Sequence, residues 1–223
     1  MTIKEILKIV GNYDEMLKFH QKNHNALYNK IFNKSRKGGS LNSFYNTTFC
    51  KTQGMFKLVS DLVNQGKNYY EACETYLRIR EERNKIEQVE SYPLQKQVEA
   101  FMKEGNISDF VYAFKLAWDY VFVISYIGVH KEQGALKFLA KTYPNYIFCK
   151  ASEDWDRFYS IDLLVKDKQG NLTGVIQVKP SSFKLYPQAM ALNLKNLENF
   201  SKKYGFVQKY FFFYDTITIE EIR

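Results

Sequence analysis

The sequence predicts an α+β (or α/β) protein with a helical N-terminal region followed by a small mixed β-sheet flanked by helices. Apolar residues recur at helical spacing through about residue 127. From Gly128 onward, short apolar runs separated by turn residues are typical of strands. With 223 residues, 45% of them hydrophobic, the chain can bury a core in one large domain or two small ones. We therefore expect two regions, 1–127 and 128–223.

The N-terminal region is predicted to consist of helices. The first opens at Thr2, a capping residue that precedes apolar residues at helical spacing. A basic, glycine-containing loop at 35–40 and a proline at position 93 interrupt the later helical segments. The predicted helices cover residues 2–10, 13–32, 52–64, 69–89, 95–104 and 108–126.

The C-terminal region is predicted to follow the order α-β-β-β-α-β. A turn at Gln169-Gly170-Asn171 joins the second and third strands, and Gly205 ends the second helix. A hairpin meander followed by a crossover helix gives a mixed sheet with helices against it. The predicted elements are a helix at 131–143, strands at 146–149, 158–166 and 172–178, a helix from 185 or 188 to 204, and a strand at 207–214.

The net charge, the apolar runs and the cysteine count bear on which partners the protein binds and in which compartment it is found. The formal net charge of +8 favours a polyanionic partner, with nucleic acid ahead of an acidic membrane. Residues 16–60 contain eight Lys or Arg and no Asp or Glu, which predicts phosphate contacts or, alternatively, only a solvated basic face. The longest apolar run, at 121–129, is too short to span a bilayer. Three widely spaced cysteines and the lack of a signal peptide lead us to expect a cytoplasmic protein.

Chemistry-bearing residues are concentrated on the predicted hairpin. Asp162 interrupts an apolar strand, and Gln177 and Lys179 share one face of the next strand. The Asp162 carboxylate, with the Gln177 side chain or the Val178 backbone carbonyl, can supply the oxygen ligands that Mg²⁺ prefers. Lys179 can orient an attacking water or stabilise charge on a phosphate. The alternative is a plain ion pair between Asp162 and Lys179 at the end of the sheet.

The order of elements and the Asp162…Gln177-x-Lys179 pattern resemble the PD-(D/E)xK nuclease superfamily, over about residues 128–215. That group includes type II restriction endonucleases, Mrr-like enzymes, Holliday-junction resolvases and phage or repair nucleases. The resemblance implies that Asp162 is the metal-binding acid and Lys179 the catalytic lysine. Gln177 stands in place of the second acid, as in several branches of the superfamily. The resemblance also implies a metal-binding Glu on the helix before the first strand, and Glu132 matches that position. The alternative is that Glu132 is an acid in the first turn of this helix, where the helix dipole favours a negative charge.

The resulting expectation is a Mg²⁺-dependent type II restriction endonuclease that cuts double-stranded DNA as a homodimer, with Mn²⁺ as a possible substitute for Mg²⁺. Alternatives are a structure-specific, phage or repair nuclease and a non-catalytic DNA-binding protein on a decayed nuclease fold. The acid-rich segment 152–157 is expected to be a solvated loop, and the alternative is that two of its acids reach the metal site. Region 1–127 is expected to recognise DNA, and the candidate DNA-binding residues are Lys34, Arg36, Lys37, Lys51 and Lys57.

Overall fold

The computed structural model describes residues 1–23, 55–86, 98–99, 102–103, 106–205 and 207–222. The chain divides into two compact units, Met1–Val129 and His130–Arg223. The boundary expected from the sequence lies two residues before this division. In the described ranges, no helix is long and apolar enough to cross a membrane.

The first unit is helical in its described residues. Thr2 caps the first helix: its hydroxyl accepts from the Glu5 amide, and the Glu5 carboxylate accepts from the Thr2 amide. The core is rich in aromatic rings, and the buried Trp118 indole donates a hydrogen bond to the Tyr69 hydroxyl at 3.1 Å. The helices are α1 (Ile3–Val10), α2 (Tyr13–Asn23), α3 (Met55–Asn64), α4 (Tyr69–Ile86) and α5 (Phe110–Trp118).

The helical path does not end where the sequence pattern changes. A π-helical turn, Asp119–Val123, leads from α5 into α6 (Ile124–Thr142), which runs straight through Gly128. The expected break between residues 126 and 131 is therefore wrong. A glycine inside a helix costs only about 1 kcal/mol relative to alanine, and burial of neighbours such as Val129 outweighs it. Glu132 consequently lies in the interior of α6, and the helix-dipole explanation for it is wrong.

The second unit contains a five-stranded mixed sheet in the order β1-β2-β3-β4-β5. Strands β3 and β4 are parallel, and the other neighbouring pairs are antiparallel. The mixed α+β architecture expected from the sequence is confirmed, with β5 as an additional, unpredicted edge strand. The strands are β1 (Ile147–Lys150), β2 (Leu163–Lys166), β3 (Leu172–Lys179), β4 (Gln208–Phe213) and β5 (Thr218–Ile222).

The segment between β1 and β2 differs from the expectation. Residues Glu153–Tyr159 form a short helix, α7, capped by the Ser152 hydroxyl, so the expected solvated loop at 152–157 is wrong. Ser160 then adopts the left-handed conformation, with φ 57° and ψ 45°. This turn ends α7 and delays the start of β2 to Leu163, five residues after the predicted start at 158.

Each face of the sheet in the second unit packs against a helix. On one face, the α6 residues Ala135 and Leu139 join a cluster with Leu163, Val165, Ile176, Val178 and Phe212. On the other face, α8 (Pro187–Tyr204) contributes Leu197 and Phe200 to a cluster with Ile161, Leu164, Val175 and Val207. Strand β3 contributes to both clusters, which fixes its register. Ile161 and Leu163 belong to different clusters, so the regular alternation of a strand does not extend back to Ile161.

Candidate active site

Asp162 lies between the left-handed turn at Ser160 and the first residue of β2. Its backbone amide donates to the Ile176 carbonyl at 3.0 Å, and its Oδ2 accepts from the Val178 amide at 2.6 Å. Only 6% of the residue is exposed. The main chain and the side chain of Asp162 are thus both fixed against β3, and one carboxylate oxygen is held by a backbone donor.

Gln177 and Lys179 lie on β3, where alternation places them on the same face as Val175. Gln177 is 2% exposed, and its side-chain oxygen Oε1 is buried with no hydrogen-bond partner. An unsatisfied buried oxygen costs on the order of 1–3 kcal/mol. This buried acceptor is open to a partner, which can be a hydrogen-bond donor, a water or a cation.

Glu132 extends from α6 and is largely buried, with 12% of its side chain exposed. Its Oε2 lies 3.3 Å from the Nζ of Lys150, the last residue of β1. Burial raises the pKa of Glu132 to about 7, the negative charge of Asp162 adds to the rise, and Lys150 opposes it. The charge of Asp162 therefore reaches Glu132, and the two carboxylates belong to one electrostatic cluster.

A third acid, Asp156 on α7, joins this cluster, which corresponds to the alternative given for the acid-rich segment 152–157 and not to the expected solvated loop. Burial and the charge of Asp162 raise the pKa of Asp156 to about 6, whereas Lys179 and Lys150 act against that rise. A serine followed by acids at 152–154 is a helix-start signal that could have placed α7. The approach of α7 to the strand depends on the left-handed Ser160, which no spacing rule anticipates.

Two lysines counter the acids of this cluster. Burial raises the pKa of Asp162, and the desolvation effect outweighs the opposing effects of Lys179, the Val178 amide and Lys150. The Nζ of Lys179 lies 5.9 Å from the centre of the Phe183 ring. The charge of Lys179 thus acts on both Asp162 and Asp156 from a half-buried position.

The donor atoms suit a hard divalent cation. Carboxylates of Glu132 and Asp162, with the unpartnered Gln177 oxygen, are the oxygen ligands that Mg²⁺ takes together with several waters. Within the described ranges, no group of three His, Cys, Asp or Glu side chains is arranged to hold a metal ion. An ion here therefore needs two carboxylates supplemented by the amide oxygen, backbone or water. Val178, whose backbone carbonyl is an expected ligand, contributes to the site through its backbone amide, which donates a hydrogen bond to Asp162 Oδ2 and holds that carboxylate in place.

The structure does not describe where the side chains of the expected DNA-binding residues lie. Lys34, Arg36, Lys37 and Lys51 lie outside the described residues. Lys57 belongs to α3, in the first unit, and its side chain is likewise outside the description. Their role in DNA binding stays a prediction.

Comparisons with known proteins found no matching family model, curated protein or solved structure.

Proposed function

We propose that the unit His130–Arg223 is a Mg²⁺-dependent nuclease that hydrolyses phosphodiester bonds in double-stranded DNA. The observations that carry the proposal are the unpartnered Gln177 oxygen on β3, the buried Asp162 held by the amide of the next residue, Val178, and the effect of the Asp162 charge on Glu132. These groups destabilise the folded protein as long as no cation compensates them. Their concentration at one site favours function over a structural role.

Each side chain has a distinct task in the proposed reaction. When bound, Mg²⁺ polarises the scissile phosphate and makes a bound water more acidic. Asp162, Glu132 and the Gln177 oxygen hold the ion, and the Val178 amide keeps the Asp162 carboxylate in position. Lys179 places a positive charge next to the reacting phosphate and offsets the negative charge that develops there.

We further propose that the whole chain acts as a type II restriction endonuclease. The acid-free stretch 16–60, with its eight basic residues, supplies phosphate contacts. Cutting both strands of a duplex at one sequence is most simply achieved by a symmetric homodimer. Sequencing the ends of digested phage DNA tests this step, because a restriction enzyme leaves one defined sequence at every end.

The nuclease activity is tested by incubating supercoiled plasmid with the full chain and Mg²⁺ or Mn²⁺. The wild type is expected to cut, whereas Asp162→Asn and Lys179→Met reduce the rate by at least about 100-fold, as expected for groups acting at the reacting centre. Asp167→Asn and Lys168→Met, at the tip of the same hairpin, are matched controls that keep the wild-type rate. Lys168 is exposed and Asp167 is half-buried, and both lie at the far end of β3 from Lys179.

The outcomes separate the alternatives. Cleavage that survives Asp162→Asn and Lys179→Met would place the reaction elsewhere. A wild type that binds DNA without cutting it, in either metal, would favour a non-catalytic protein on a nuclease-like architecture. Preference for branched DNA over linear duplex would favour a structure-specific nuclease.

A further inference from the structure

Lys150 is a cation in contact with the acidic cluster. It ends β1, its Nζ lies 3.3 Å from Glu132 Oε2, and 39% of its side chain is exposed. Its positive charge acts on all three acids, Glu132, Asp156 and Asp162. Lys179, by comparison, acts on Asp156 and Asp162 alone among these acids. Lys150 therefore contacts one of these acids and acts through its charge on the same acids as an ion bound between them would.

The charge balance of the cluster limits how many divalent ions it can hold. Three ionised carboxylates, Glu132, Asp156 and Asp162, and two ammonium groups, Lys150 and Lys179, leave one net negative charge, and the exposed Glu153 acts on Asp156 from outside this set. One divalent ion changes the sum to one positive charge, which a bound phosphodiester neutralises. A second divalent ion would leave two uncompensated positive charges in a buried environment, where repulsion is much stronger than in water.

We propose that the Lys150 ammonium takes the place of a second metal ion, so that the site binds a single divalent cation, for which Lys150 competes at Glu132. The unpartnered Gln177 oxygen, 98% buried with its residue, is the independent sign that a cation belongs here. This inference rests on the proposed function, since it concerns the ion of the same site. It assigns to this chain a one-ion site in which a lysine supplies the remaining positive charge.

The test measures Mn²⁺ binding to the full chain at pH 8 without DNA, by titration calorimetry and by the electron paramagnetic resonance signal of free Mn²⁺. The wild type is expected to bind one ion per chain. Lys150→Met removes the competing charge, so Mn²⁺ should bind about tenfold tighter or better, in line with repulsion between charges a few ångströms apart. Lys150→Arg keeps the charge, and the affinity should stay within about threefold of the wild type.

Lys184→Met is the matched control. Lys184 also pairs with a glutamate in the second unit, Glu220 at 2.6 Å, and its removal should leave Mn²⁺ affinity unchanged. Thermal melts of each variant in EDTA verify folding before titration. The affinity change is thereby assigned to the charge of Lys150 and not to the loss of a salt bridge in general.

Each alternative outcome has its own meaning. Two ions per wild-type chain would overturn the role of Lys150 and leave the nuclease proposal standing. Weaker Mn²⁺ binding by Lys150→Met would also overturn it, because a lysine that only holds Glu132 in place predicts that sign. A wild type that binds no ion but cuts DNA would refute the one-ion site alone, whereas one that neither binds an ion nor cuts would refute the proposed function with it.

Discussion

At the scale of single residues, the buried carboxylate of Glu132 opposes folding as the pH rises. Its pKa is raised from an ordinary 4.5 to about 7 by burial. Between these values the folded state holds a proton that the unfolded state releases, so stability falls as pH increases from about 4.5 to 7. In EDTA at pH 8, Glu132→Gln should therefore raise the free energy of unfolding by about 1–3 kcal/mol. Urea denaturation measures the difference.

The same experiment at pH 4.5 supplies an internal comparison, because the wild-type carboxyl is then largely protonated and the gain should vanish. Glu198→Gln, an exposed glutamate on α8, should change stability by less than about 0.5 kcal/mol at either pH. A stabilisation by Glu132→Gln that does not depend on pH would contradict the charge explanation.

Gln177 offers a second residue-level prediction. Replacing it by methionine, which has a similar shape, removes the unpartnered oxygen and should raise the melting temperature in EDTA by a few degrees, since about 1 kcal/mol is regained. The same change removes an oxygen ligand, so Mn²⁺ affinity should fall by about tenfold or more. Thermal melts and calorimetric titration measure the two effects.

Ser201→Ala on α8 is the matched control for Gln177→Met. The Ser201 hydroxyl oxygen is also buried without a hydrogen-bond partner. Its removal should stabilise the protein slightly and leave Mn²⁺ affinity unchanged. If both variants changed metal affinity equally, the Gln177 oxygen would have no special role in binding.

At the scale of elements, the sequence predicts β3 within one residue of its observed end, because its alternation and its flanking turn at Gly170 are local properties. α7 was missed for the opposite reason. Its position depends on Ser160, a non-glycine residue at φ 57°, whose conformation is set by the surrounding packing and by a hydrogen bond from Asn196 at 3.0 Å. Lys150 could therefore be assigned to the site only from the positions of the elements in space, whereas Asp156 was one of several acids in 152–157 that the sequence could not tell apart.

Aromatic packing holds α7 in place and yields an element-level prediction. The Trp155 ring lies edge-on to Phe200, with centroids 4.8 Å apart, and 5.3 Å from the Tyr204 ring. Trp155→Ala should lower the free energy of unfolding by about 2 kcal/mol, less than for a fully buried tryptophan because Trp155 is half-buried. Hydrogen exchange of the α7 amides should accelerate. Phe158→Ala, 58% exposed on the same helix, should do neither.

At the scale of the whole molecule, the division into two units at Val129 and His130 falls close to the boundary expected from the change of hydrophobic pattern. A change in the spacing of apolar residues indicates a change in which side chains are buried. Each compact unit buries its own core, so such a change tends to fall near a boundary between units. The pattern change does not mark the end of a helix, however, because α6 continues without a break through Gly128. Site residues far apart in sequence, such as Glu132 and Asp162, could be grouped only through the resemblance to a nuclease.

The distribution of charge over the whole chain leads to the last prediction. If the basic stretch 16–60 contacts phosphates, glutamine at Lys34, Arg36, Lys37, Lys51 and Lys57 should reduce the salt dependence of DNA binding, lowering the slope of log K against log salt by about 4. Fluorescence anisotropy in EDTA, with Asp162→Asn present to prevent cleavage, measures that slope. The control removes equal charge from the second unit, at Lys137, Lys141, Lys166, Lys168 and Lys209. An equal loss of slope in both proteins would mean that net charge alone attracts DNA, without a dedicated basic surface.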